Sequence, residues 1–154
     1  MSIRQDILDA TVDALKKITK RNGHNTNVSY VSTYLNIKHP EEINHKDLPA
    51  LFPYDDNEEK EALSIFHSTK PDMMSTLSII VTAVVYDRRG DTATMRTDLM
   101  EDVEKVLVND EDLMELLIEN PTPVGIATDK GAFDNYSVWD QTFEMKYIYN
   151  HGLE

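Results

Sequence analysis

Five scattered histidines, two acidic runs and one Arg-Arg-Gly-Asp turn are the residues whose types suit chemistry. His24, His39, His45, His67 and His151 form no His-x3-His pair, and none has an acidic neighbour at ligand spacing. A metal site needs converging ligands, so these side chains are expected in loops or solvent, and no metal is expected. Asp55, Asp56, Glu58, Glu59 and Glu61 could hold a hard cation such as magnesium or calcium. The calcium-loop pattern with its central glycine is missing, and a solvated turn explains the run. Asp110-Glu111-Asp112 suits the start of a short helix, where the dipole favours acids. The sequence has no Gly-x-Ser-x-Gly elbow, no phosphate-binding loop and no dinucleotide fingerprint. No spacing singles out a pair of carboxylates for acid–base work. The expectation is a protein that is not an enzyme, without catalytic residues or cofactor.

Arg88-Arg89-Gly90-Asp91 contains an adhesion-type triplet, but a turn feeding a helix needs a glycine and a capping aspartate there anyway. The two arginines make a basic spot on an acidic chain, to which a neighbouring subunit could present carboxylates. Arg88, Arg89 and Asp91 are therefore the candidate subunit-interface residues.

The chain has 154 residues, which predicts a single domain over 1–154. Forty per cent hydrophobic residues can build one core, and a mean hydropathy of -0.46 fits a soluble protein. No stretch approaches the ~18 apolar residues of a membrane helix, so no membrane partner is expected. The first residues, Met1 to Asp6, lack an apolar signal core, so secretion is not expected. There are no cysteines, which excludes disulfides and thiol chemistry and suits a reducing compartment. The net charge is -13, so the chain should repel a phosphate backbone rather than grip DNA or anionic lipid.

The elements follow from periodicity. Ile3, Ile7, Thr11, Ala14, Leu15 and Ile18 fall on one stripe and predict a helix over 2–22, started by a Ser2/Gln5 capping box and closed by Gly23. Val28 to Ile37 reads as a strand. Asp47 to Tyr54 holds two prolines and reads as a short edge strand, with Asp55 to Lys60 an acidic turn. Glu61 to His67 alternates weakly, and Ser68 to Asp72 reads as a hairpin loop. Thr76 to Tyr86 is the clearest strand, and its two mostly apolar faces mark it as central. Asp91 or Thr92 should cap a helix with Met95, Leu99, Val103, Val106 and Leu107 on its buried stripe. Asp112 to Glu119 predicts a short helical piece, and Val124 to Thr128 a short strand ended by an Asp129-Lys130-Gly131 turn. In Tyr136 to Tyr149, Trp139, Gln141, Phe143, Met145, Tyr147 and Tyr149 face one way, and Asp140, Thr142, Glu144 and Lys146 the other. The aromatic row reads as core. The sum is an α+β fold: a mixed or mostly antiparallel sheet with two main helices packed on one face.

Several stretches carry a resemblance in this order: Leu48-Pro49-Ala50-Leu51-Phe52, Leu77 to Tyr86, Leu99-Met100-Glu101-Asp102-Val103, Ala127-Thr128-Asp129-Lys130-Gly131-Ala132-Phe133, and Thr142 to Tyr149. Over nearly its whole length the chain resembles the small neck and tail-terminator proteins of tailed bacteriophages, the tail-completion or minor-tail-U-like group. The resemblance implies a structural virion protein, assembled in the host bacterial cytoplasm. It implies a ring, usually hexameric, at the head-proximal end of the tail tube, which stops tube growth and offers a docking face. The implied partners are further copies of the chain, the tail tube protein, a head–tail connector or neck protein and, in a tail that has one, the sheath protein. DNA passes through such a ring without specific binding. The alternatives are a head-closure or other neck adaptor, and an acidic small-ligand-binding domain with a pocket under Trp139 and Phe143.

Overall fold

The expected central strand organises the molecule. The structure is a computed structural model and describes residues 2–33, 40–63, 72–131 and 134–150. In it β3 (Asp72–Tyr86) pairs antiparallel with β2 (Ala50–Ala62) on one side and β5 (Tyr136–Asn150) on the other. β1 (Tyr30–Val31) flanks β2 in parallel, and β4 (Thr122–Thr128) flanks β5 antiparallel. The order β1-β2-β3-β5-β4 makes one mixed, mostly antiparallel sheet.

The pleat sorts the side chains. Leu77, Ile79, Val81, Ala83 and Val85 of β3 are fully buried on one face, beside Trp139, Phe143, Met145, Tyr147 and Tyr149 of β5. Three helices cover that face: α1 (Ile3–Leu15), α2 (Ala93–Val108) and the short α3 (Glu111–Leu116). They contribute Ile7, Leu15, Leu99, Val103, Leu107 and Leu113 to the same core. Thr76, Ser78 and Thr82 of β3 and Asp140, Thr142, Glu144 and Lys146 of β5 lie on the other face. One end of that face carries a second, smaller cluster. Ala50, Phe52, Val84 and Tyr136 pack there with Ile43 and Leu48, and His45 stacks on Tyr86 at 4.0 Å. The α+β class and the placing of the helices on one face are as expected.

Several expected boundaries are corrected. α1 begins as the capping box predicts, with Gln5 N–H donating to Ser2 Oγ at 3.2 Å, but it ends at Leu15. Gly23, at φ +90°, closes a separate 3-10 turn over Lys20–Asn22. Thr19 and Asn27 accept the N–H groups of Asn22 and Lys20, and such local side-chain bonds compete with helix. The expected strand over 28–37 is reduced to Tyr30–Val31, and its part over 34–37 lies outside the described residues.

The largest correction is at 55–60, where the acidic residues make no turn. They belong to β2, with a bulge between Asp55 and Glu58. Strand pairing with β3 fixes the backbone, while the carboxylates remain in solvent or find partners. Arg4 Nε donates to Asp55 Oδ2 at 2.6 Å, Arg4 Nη2 donates to the Asp56 carbonyl, and Tyr147 Oη donates to Glu58. The expected strand at 47–54 starts only at Ala50, after a 3-10 turn at His45–Asp47, and β1 lies outside it. The separate strand expected at 61–67 is the end of β2 as far as Ala62, and residues 64–67 lie outside the described residues. Asp72 is already in β3, where the hairpin loop was expected to run on.

Candidate interaction surfaces

The Arg-Arg-Gly-Asp turn closes the end of β3. Asp87 N–H donates to the Asn135 carbonyl, and Gly90 N–H donates to the Asp87 carbonyl, both at 2.9 Å. Gly90 sits at φ +78°, and a Cβ there would stand 3.2 Å from Asn135 Oδ1, so the position favours glycine on two counts. Arg88 and Arg89 are exposed and have no ion-pair partner among the described residues. Asp91 does not cap α2. Its own N–H donates to Asp87 Oδ2 at 2.9 Å, and the N-cap residue Thr92 makes no side-chain cap bond. Asp87 has taken the capping aspartate's part inside the turn, so Asp91 is exposed alongside the two arginines.

The two outer strands are the surfaces that motif reading passed over. All seven residues of β4 are exposed, including Val124 at 49% and Ile126 at 53%. At the opposite edge β1 exposes Tyr30, whose ring contacts Phe52. Asn25 to Thr33 and Asn120 to Thr128 contain no charged residue, in a chain that is 28% charged. Such a gap marks a strand rather than an edge, since Met73 to Tyr86 of the central β3 is uncharged as well. Natural sheets usually blunt such edges with charges, prolines or bulges. β4 has a proline and a bulge near its start, at Pro123–Gly125, but nothing of the kind from Ile126 to Thr128.

A cleft of about 570 Å³ lies where the end of α1 meets the α2–α3 corner. Lys17, Asn22, His24, Lys105 and Asp110 are among its lining residues. Behind it Asp102 is buried and accepts from Asn25 N–H at 2.9 Å, Thr26 N–H at 3.0 Å and Thr26 Oγ at 2.6 Å. His24 Nδ1 stands 3.7 Å from Asp102 Oδ1, so a histidine does have an acidic neighbour, one that sequence spacing could not reveal. That distance is too long for a hydrogen bond. Asp102 therefore pins the 25–26 backbone to α2 and does not orient the imidazole. Among the described residues no three His, Asp or Glu side chains converge as a metal site would require.

The ligand-binding alternative expects a pocket under Trp139 and Phe143. Both rings are buried in the core, the indole N–H donates to Gln141 Oε1 at 3.0 Å, and Gln141 Nε2 donates to the Met100 carbonyl. Phe143 and Gln141 also line a groove of about 370 Å³ between β4 and Glu104 of α2. Among the described residues no helix is long and apolar enough to cross a membrane. No protein-family model matches the chain, and no curated protein does.

Proposed function

We propose that the protein is a structural subunit of a closed ring, of the tail-terminator kind that its sequence resembles. The ring sits at the head-proximal end of a phage tail tube, ends tube growth and offers a docking face to the neck. The observation that carries this reading is the pair of uncharged outer strands at opposite edges of one sheet. Head-to-tail contacts that close into a ring need two different surfaces on opposite sides of each copy. The strand ends then point out of the ring plane, and the Arg88-Arg89 turn at the end of β3 becomes a basic contact for an acidic tube or neck protein. A net charge of -13 keeps DNA from sticking as it passes.

Light scattering at several concentrations, with negative-stain images of the same fractions, tests the proposal. Rings with a central hole and a mass of about 106 kDa, six copies of 17.6 kDa, are expected, alone or on tube ends supplied as template. A monomer that neither forms rings nor binds tube ends would overturn it.

A further inference from the structure

The geometry points to one specific joint between copies: β4 of one copy pairs antiparallel with the 31–33 edge of the next, so that the sheet runs on from subunit to subunit. This rests on the ring reading above and names the surfaces that would build it.

Four features of the two edges match. The first is level. Val31, Leu51, Ala83, Trp139 and Thr128 form one row across all five strands, so the two outer strands lie at the same height on opposite sides. The second is direction. β1 runs parallel to β2, β4 runs antiparallel to β5, and the strand order makes β4 and β1 opposite in sense. A copy placed beside the first in the same orientation therefore meets it in antiparallel pairing.

The third is hydrogen-bonding phase. Asp129 N–H donates to the Val138 carbonyl, and alternation along an antiparallel ladder turns the N–H and C=O of Ile126 and Thr128 outward. On the other edge Ser32 N–H donates to the Leu51 carbonyl, which leaves the N–H and C=O of Val31 facing outward. Thr128 would then meet Val31 with donors opposite acceptors, and Ile126 would lie beside Thr33, where the chain bends just past the end of β1. The fourth is facing. Val31 packs toward the helix-side core, and Ile126 and Thr128 pair with Gln141 and Trp139 on that side. Paired across the joint, all of these side chains stay on one face, and Ile126 is covered.

Charge decides between this edge and its rival. Among the described residues no strand other than β3 pairs with the far half of β2 beyond Leu51, but it presents exposed Asp56, Glu59 and Glu61, and Pro53 has no N–H to give. A second copy is the occupant that fits, because its 31–33 edge matches β4 in level, sense, phase and face.

The chain has no cysteine, so an engineered pair reports this contact alone. Residues in a hydrogen-bonded antiparallel pair have Cα atoms about 5.5 Å apart, within disulfide reach. The double variant Val31→Cys/Thr128→Cys, oxidised in full-length protein at high concentration, should give a ladder of covalent multimers on a non-reducing gel. Neither single variant should do so. Ile126→Lys should abolish assembly while leaving the melting temperature unchanged, since Ile126 is exposed. Dimers of Thr128→Cys alone would mean that β4 pairs with itself and would overturn the joint. Rings without a ladder would overturn the joint and leave the ring reading standing. A ladder from open filaments would support the joint and overturn the ring reading. A protein that neither ladders nor associates would overturn both.

Discussion

Asp102→Ala tests how the first part of the chain is tied to the helices. Asp102 is 1% exposed and accepts three hydrogen bonds from Asn25 and Thr26, at 2.9, 3.0 and 2.6 Å. A hydrogen bond to a charged group contributes about 1.5–3 kcal/mol net. The three bonds share one carboxylate, and removing that carboxylate also removes the cost of burying it. The expected loss is therefore about 3 kcal/mol rather than the sum of three bonds. For a chain of this size each kcal/mol moves the melting temperature by about 2–4 °C, so a drop of about 6–12 °C should appear in a circular-dichroism melt. Amide exchange should quicken at Asn25 and Thr26 more than in β3, because the freed loop opens locally. Asp102→Asn keeps the shape but turns an amide N–H₂ toward one of the donors, so it should lose most of the same stability. A shift under about 2 °C in both variants, with unchanged exchange at Asn25 and Thr26, would refute the pinning argument.

Gln141→Leu leaves the buried indole N–H of Trp139 and the Met100 carbonyl without their present partner, and should cost about 1–3 kcal/mol in a denaturant titration. Arg88→Glu/Arg89→Glu should leave the monomer's melt within about 0.5 kcal/mol of wild type, because both side chains are exposed, yet impair assembly or tube-end binding in images. Burial, with Asp140 nearby, raises the Tyr54 phenol above its ordinary 10.0. The folded state therefore holds that proton more tightly than the unfolded chain, and the associated stability is present below the unfolded value and lost as pH rises above it. Urea midpoints at about pH 9 and about pH 11 should fall less for Tyr54→Phe than for wild type.

Alternation and helical spacing made the long elements legible. β3 and β5 alternate buried and less buried residues over most of their length, and the stripes predicted for α1 and α2 fall within a few residues of those that are buried. The misreading at 55–60 has a physical cause. Acidic side chains suit a solvated turn, but a strand whose backbone is satisfied by one neighbour tolerates them wherever the other side is open, and Arg4 steadies the bulge from 51 residues away. The contacts at Asp102 were beyond reach for the same reason, since the pairing with Thr26 spans 76 residues and neither residue type demands it. The outer strands are a different case. Their lack of charge is written in the sequence, but only the sheet order makes Asn25–Thr33 and Asn120–Thr128 the two opposite edges.

Salt separates the two kinds of subunit contact that the chain offers. Copies carrying -13 repel one another, and Glu104 beside β4 would approach Asp9 and Asp13 beside β1 across the proposed joint. Strand pairing and the burial of Ile126 depend little on ionic strength, whereas the repulsion is screened over about 10 Å at 0.1 M salt and about 3 Å at 1 M. Assembly driven by the edges should therefore strengthen as salt rises. Assembly driven by Arg88 and Arg89 on a neighbour's carboxylates should weaken, because exposed ion pairs are screened. Sedimentation velocity at fixed protein concentration, from about 0.05 to about 0.5 M sodium chloride, reads the sign directly. An oligomer fraction that falls with salt would assign ring closure to the arginine turn and reject the edge joint.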